Sequence, residues 1–297
     1  MPTFDSPYET DGEWHRGNLH THSTESDGTR DVDRVLADYQ AQGYDFLAVS
    51  DHDVIVDVDE YRDQTKMTLL PAVEVGGGPH VLHIGARSPI REPGDRQAVL
   101  EAITADDGLA VLAHPNWSWE FNHWSDQQLD ELTNYHGIEI FNGLAEESIG
   151  GADATDRWDR LLSEGKRVWG FANDDSHWSW NSGKAWNEVQ ATAATPEAIL
   201  ASLKQGRFYA STGVKITDIV ATDNKLSVET ANATHIKFIS EYGSVQRAVN
   251  GHRATFRIPD DLVHPSHLSD ELEYSYVRVE CYGTHDEMAW TQPIEIT

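Results

Sequence analysis

Acidic and imidazole side chains recur where the short apolar runs of this sequence stop, and that recurrence restricts what the chain can fold into. The run at residues 14–19 ends in His20-Thr21-His22 and a turn-rich stretch that holds Asp27 before Gly28. The run at 46–49 ends in Ser50-Asp51-His52-Asp53, and Glu74 lies near the end of the run at 69–75. His80 and His83 flank Val81-Leu82, His114-Pro115 follows 109–113, and Asn173-Asp174-Asp175-Ser176-His177 follows 168–172. Buried unpaired, such groups cost several kcal/mol each, a penalty that shared coordination of metal removes. On a strand, residues i and i+2 face the same side, so His20 and His22 can reach one ion. Imidazole with carboxylate suits Zn²⁺, Mn²⁺ or Fe²⁺. Each element alone reads equally as a turn, a strand end or a hydrogen-bonded histidine; their joint occurrence favours a metal cluster.

From residue 14 to about 210, strand and helix patterns alternate. Strands are expected at 14–19, 46–49, 69–75, 80–86, 109–113, 137–141, 168–172 and 188–192. Helices are expected at 31–42, 95–105, 125–134, 153–164 and 196–205. The first of these sets Val32, Val35, Leu36 and Tyr39 on one stripe, and the last opens with Thr195-Pro196, an N-cap followed by proline. Such alternation favours parallel strands, right-handed crossovers and a barrel or near-barrel with its site at the C-terminal strand ends. Beyond Gly213 helical periodicity disappears. Short β-rich runs at 225–229, 235–240, 254–258, 274–281 and 288–296 predict a small antiparallel β-sandwich. The division expected is 1–212 and 213–297.

Charge bears on partners. Fifty Asp and Glu against 22 Lys and Arg leave a net charge of −28. A surface of that sign repels long nucleic acid and anionic membranes, and no basic patch is visible. The acidic, lysine-poor balance resembles that of proteins from salt-loving organisms. A small anion can still bind, because clustered divalent cations reverse the local field. Cys281 is the single cysteine, which excludes an intrachain disulfide and suits a reducing cytoplasm. Met1 to Asp5 is polar, so no secretory signal is expected, and no apolar run is long enough for a membrane span.

In motif order, His20-Thr21-His22, Ser26-Asp27-Gly28, Ser50-Asp51-His52-Asp53, Glu74, His114-Pro115 and Asp175-Ser176-His177 resemble the PHP (polymerase and histidinol phosphatase) superfamily. The resemblance covers about residues 14–210. It implies an α/β fold, a distorted, TIM-like (β/α)7 barrel carrying a site for two or three divalent metal ions. The β-rich end resembles, more weakly, the accessory domain of a two-domain subgroup. Carried over, the pattern gives a first metal position to His20, His22 and Asp175, with Glu74 bridging to a second completed by His80 and His114. Asp27, His52 and His177 would form a third. His80 fits the family spacing ahead of Gly85 better than His83, which is the fallback. His15, His123, His136, His235, His252, His264, His267 and His285 lack such context and read as surface or packing residues.

Two metals about 3.5–4 Å apart acidify a shared water, whose hydroxide attacks phosphorus in line. No Gly-x-Ser-x-Gly or Cys-x-x-Cys offers another nucleophile. His52 or His177 is a leaving-group acid only where it does not bind metal. Asp51 and Asp53 are expected to orient ligand histidines. Asn116 and Asn142, just past strand ends, are substrate-binding donors or else turn caps. Arg207 and Lys184 are phosphate clamps. Trp117, Trp119, Trp124, Trp178, Trp180 and Trp186 either stack on an apolar leaving group or close the barrel against the second domain, the latter slightly favoured.

The expected function is a cytoplasmic metal-dependent phosphoesterase for a small phosphorylated metabolite, a nucleotide or sugar phosphate monoester. The alternative is an exonuclease or phosphodiesterase acting on nucleotides or short oligonucleotides. A non-catalytic metal-binding scaffold is a third reading, which the complete ligand set disfavours.

Overall fold

In the computed structural model, which describes residues 2–9, 12–91, 93–262 and 274–297, strands alternate with helices up to about residue 204. In chain order these are β1 (Phe4–Asp5), β2 (Glu13–Asn18), α1 (Val32–Ala41), β3 (Phe46–Val49), β4 (Thr68–Val75) and β5 (Val81–Ile84). There follow α2 (Arg96–Ala105), β6 (Leu109–Leu112), α3 (Asp126–Glu131), β7 (Gly137–Asn142) and α4 (Thr155–Ser163). Then come β8 (Trp169–Asn173), β9 (Trp186–Ala191), α5 (Pro196–Lys204) and β10 (Phe208–Ser211).

β2, β3 and β4 pair in parallel, as do β6, β7 and β8. An isolated parallel bridge, Thr21 to Ser176, joins the continuations of β2 and β8, so the sheet curls until its first and last strands meet beyond their ends. The alternation along each strand explains the curl. Phe46, Ala48, Leu70, Leu82, Val111 and Phe171 share one buried cluster inside it, and α5 adds Ile199 and Leu203. The other faces of β3 and β4 carry Leu47, Val49 and Leu69, which pack under Val32, Val35, Leu36 and Tyr39 of α1.

The regular alternation fails in three places, one of them between β8 and β9, where a 3₁₀ turn stands instead of a helix. Between β3 and β4 the chain forms only short 3₁₀ turns, and β4 and β5 form an antiparallel pair with no helix between them. Residues 76–80 are too few for a crossover, which needs a dozen or more. α3 is also shorter than expected, with Leu132 already extended. The barrel portion is thus mixed α/β with a curled sheet rather than a regular succession of strand–helix units.

The remaining strands are β11 (Ile216–Thr222), β12 (Lys225–Thr230), β13 (His235–Ser240), β14 (Ser244–Asn250), β15 (Arg253–Arg257), β16 (Tyr276–Tyr282), β17 (Met288–Thr291) and β18 (Ile294–Ile296). β10, β11 and β14 have no counterpart among the expected runs. The run expected at 288–296 divides at Gln292-Pro293, because proline cannot donate to a ladder. β11, β12 and β15 form one three-stranded sheet. β14, β13, β16 and β17 form a second that continues through β10 and β9 into β2. Between the two lies a cluster that includes Leu226, Phe238, Phe256, Val279 and Cys281. The C-terminal strands are therefore hydrogen-bonded into the same sheet as the barrel. A second tie is the Arg278 guanidinium, which holds Asp159 of α4 through two 2.7 Å contacts and Glu280 through a third.

Candidate metal centre

The C-terminal ends of β2, β3, β4, β6 and β8 converge on Glu74, the next-to-last residue of β4 and almost fully buried. One carboxylate oxygen, Oε2, lies 3.1 Å from His20 Nε2, 3.2 Å from His22 Nε2 and 3.2 Å from His52 Nδ1. The other, Oε1, lies 2.8 Å from His80 Nδ1 and 3.2 Å from His114 Nε2. Asp175 Oδ1 stands 3.3 Å from His20 Nε2 and 3.2 Å from His22 Nε2. Beside this pair of positions, Asp27 meets His177 Nε2 at 3.3 Å, His22 Nδ1 at 3.5 Å and His52 Nε2 at 3.7 Å. All nine residues named as ligands from the sequence come together. They fall into overlapping groups, among them His22, Asp27, His52 and His177; His20, His114 and Asp175; His20, His22 and Glu74; and His52, Glu74 and His80.

The donor set fits divalent metal. Among the described residues, His20 Nε2, both ring nitrogens of His22, His114 Nδ1 and Asp175 Oδ1 are buried without a hydrogen-bond partner. Orphaned polar atoms are rare in protein interiors, and here His20 Nε2 and His22 Nε2 both face Asp175 Oδ1. Burial pushes the Glu74 and Asp175 carboxyls up, but the His20 and His22 imidazoles outweigh it and hold both well below the usual range. Burial likewise lowers His22, and Asp175 and Glu74 more than reverse it, raising that imidazole to about 9. Without metal the cluster would hold protons between its rings and carboxylates. Backbone strain falls at the same place: His114 and Asp175 adopt φ of 32° and 52°, a region side-chain-bearing residues avoid.

His83 lies apart. It faces the other side of β5, buried, with Nε2 3.4 Å from Asp106, so of the two histidines only His80 joins the cluster. Asp51 does not orient a histidine: it accepts from the Ser23 amide at 2.8 Å and from the Ser23 and Ser26 hydroxyls at 2.6 Å each, shaping the loop before Asp27. Asp53 accepts from the Gly76 amide at 2.8 Å and so braces the end of β4. The residue that orients a ligand histidine is Glu139, whose Oε1 lies 2.8 Å from His20 Nδ1. Glu139 also receives the Asn142 amide at 2.9 Å and the His114 backbone amide at 2.8 Å. The available signal was a lone acid inside the apolar strand Gly137-Ile138-Glu139-Ile140-Phe141. His123 is a second omission. Its Nε2 accepts the His80 backbone N–H at 2.9 Å, and its ring lies 4.6 Å from that of His114, within a possible three-histidine group.

The residues expected to touch substrate are placed otherwise. Asn116 spends its amide on Asp153 and Asp156, at 2.9 and 3.0 Å, and on Arg157. Asn142 is buried and steadies Asp175 at 3.2 Å, which makes it a positioning residue. Arg207 pairs with Glu9 at the start of β10. β10 runs in the direction of β2, so Arg207 stands at the end of the sheet away from the cluster. Lys184 pairs with Glu147 and Glu146. Trp124 is buried, and Trp186 packs on Arg16. A cleft of about 340 Å³ opens over the cluster, lined by Asp27, Glu74, Asp175, four of the histidines, Trp117, Leu144 and Trp178.

No family model matches the sequence, and no curated protein does. Solved structures do. A two-domain protein from Bacteroides vulgatus, described as containing a predicted PHP-like metal-dependent phosphoesterase, superposes with a TM-score of 0.51 at 16% identity. The match covers 95% of this chain and 94% of that one, so both parts of the chain share its fold. The lesion-specific endonuclease EndoQ from Pyrococcus furiosus matches 64% of this chain and 56% of its own length, at 15% identity and a TM-score of 0.47. A metal-dependent phosphoesterase candidate from Bifidobacterium adolescentis matches 54% of this chain and 87% of its own length, at 16% identity and a TM-score of 0.42. The chain shares the fold of the Bacteroides vulgatus protein along almost its whole length.

Proposed function

We propose that this protein is a metal-dependent phosphoesterase that hydrolyses a small phosphorylated metabolite, a monoester in preference to a diester. The observation that carries the reading is Glu74: one carboxylate with three imidazole nitrogens on one oxygen and two on the other. His20, His22 and Asp175 would hold one divalent ion, His80 and His114 a second, and Asp27, His52 and His177 a third, with Glu74 shared by the first two. Zn²⁺, Mn²⁺ and Fe²⁺ all suit that donor set. Bound there, such ions supply an acidified water and a clamp on the phosphoryl oxygens. The chain's own part is placement. Glu139 fixes the His20 ring, Asn142 fixes Asp175, and Asp51 holds the loop that presents Asp27.

The domain division proposed is 1–212 for the (β/α)7-type barrel and 213–297 for a β-sandwich. Among the described residues, no helix is long and apolar enough to cross a membrane. With Cys281 buried and unpaired, we place the enzyme in the cytoplasm. The net charge of −28 supports a salt-adapted surface and disfavours long nucleic acid as substrate.

Phosphate release from nucleoside monophosphates, sugar phosphates and a bis-aryl phosphodiester, with and without Mn²⁺ and at low and high KCl, tests the reading. Turnover of monoesters that disappears in His52→Ala is expected. Hydrolysis of the diester alone would favour a phosphodiesterase or exonuclease, and a metal-loaded protein inert on all of them would favour a scaffold.

A further inference from the structure

The cleft over the cluster has a chemistry of its own. Among the described residues, no lysine or arginine lines it. The part of a substrate that does not react therefore finds no partner for a second phosphate. What it finds is aromatic. Trp117 stands on the side of His80 and His114, 5.3 Å from the His114 ring, and Trp178 stands on the side of His177, 5.6 Å from that ring. Trp178 is stacked on Trp180 at 5.5 Å with 13° between the planes. Both are solvent-exposed, 38% and 57%, in a chain whose surface is otherwise strongly charged. Trp119 and Phe121, in the loop that follows Trp117, are exposed as well. Exposed aromatic patches of this kind mark binding sites.

The loop that carries Trp178 and Trp180 is braced at its backbone. Asp174 accepts from the amides of Gly183 and Lys184 at 2.7 Å and of Ala185 at 2.8 Å. Asn181 Oδ1 accepts the Trp178 amide at 3.0 Å, and Ser179 donates to Asp38 at 2.8 Å. Arg30 ties Ser176 and Ser182 to α1 through Asp38. A loop braced in this way loses little freedom when something stacks on its rings.

We propose that the Trp178–Trp180 pair binds a flat, uncharged aromatic ring, a nucleobase or aryl group, in the leaving group of the ester. The proposal rests on the phosphoesterase reading for its reaction but on the cleft for its ligand. Adenosine 5′-monophosphate and ribose 5-phosphate isolate the ring, because both release phosphate from the same primary alcohol. With the metal-loaded enzyme, kcat/KM is expected to favour the nucleotide about tenfold, the worth of one base stacked on an aromatic side chain. Trp178→Leu, which keeps an apolar side chain and is checked for unchanged metal content, should bring the two within about threefold, chiefly through KM. Quenching of tryptophan fluorescence by the two compounds gives a reading that does not depend on turnover. Equal kcat/KM and equal quenching in the wild-type protein would overturn the proposal and leave the phosphoesterase standing. Selective quenching by the nucleotide, with no phosphate released from either compound, would keep the aromatic site and overturn the phosphoesterase.

Discussion

At the scale of single residues, the cluster depends on side chains that never touch an ion. Glu139 is fully buried beside His20 and shares its other oxygen with Asn142 and the His114 amide. Removing its charge while keeping its shape tests that support. Glu139→Gln should weaken metal binding about 10–100-fold, the usual effect of losing the partner of a ligand histidine, and should also lower thermal stability, because Asn173, Asn142 and the His114 amide all donate to the carboxylate. Titration with Co²⁺, followed by its visible absorption, reads the affinity. A second expectation concerns protons. In the metal-free protein His22 is raised from 6.5 to about 9, so between those values it carries a proton that metal must expel. Affinity should therefore climb as pH rises towards 9, and calorimetry in buffers of different ionisation enthalpy should show protons released at pH 7. The linked stability has the opposite sign: what the raised His22 contributes to the metal-free fold is complete below its ordinary value and is lost as pH rises through about 9. Affinity independent of pH would contradict both statements. The nine clustered residues were legible because several end apolar runs and all fall within motifs that resemble one family. The sequence hid Glu139 and His123, whose importance comes from neighbours more than 20 residues distant.

At the scale of elements, apolar periodicity was a sound guide for α1 and β3 but missed β10, although all four of its residues are buried. The stripe Val32, Val35, Leu36 and Tyr39 is buried as expected, and β3 spans the residues anticipated for it. What periodicity does not carry is strand direction. Four buried residues in β5 read the same whether the strand is parallel or antiparallel to β4. Length alone distinguishes the cases, since the link between them is a hairpin's and not a crossover's. Short edge strands such as β1 and amphipathic ones such as β14 were missed because they bury too little to show a pattern. Close packing between β7 and β8 offers a test of the curl. A Cβ on Gly137 would lie 2.3 Å from the Trp169 carbonyl oxygen, a backbone atom that cannot swing aside. Gly137→Ala should cost about 1–3 kcal/mol and lower the melting temperature measurably. A variant as stable as wild type would mean that these strands lie further apart than described.

At the scale of the whole molecule, a change in pattern near residue 212 was legible in the sequence, but the continuity of the sheet across it was not. β10 and β17 carry one hydrogen-bonded sheet across it, and Arg278 on β16 is buried against Asp159 on α4. Pairings between residues so distant in the chain leave no local trace in a sequence. The tie has an energetic consequence. Arg278→Leu leaves the buried Asp159 and Glu280 carboxylates without their cation and should cost about 3–5 kcal/mol, and the double variant Asp159→Leu with Arg278→Leu should cost less than the sum of the two single losses. Chemical denaturation measures all three, and a double loss equal to that sum would show that the pair is not coupled. The central claim, however, is that Glu74 sits between metal positions, and elemental analysis of protein purified without chelator addresses it most directly. Two or three divalent ions per chain are expected, falling in Glu74→Gln to one or none while the fold persists. A wild-type protein that carries no metal and takes none up from Mn²⁺ or Zn²⁺ would contradict it.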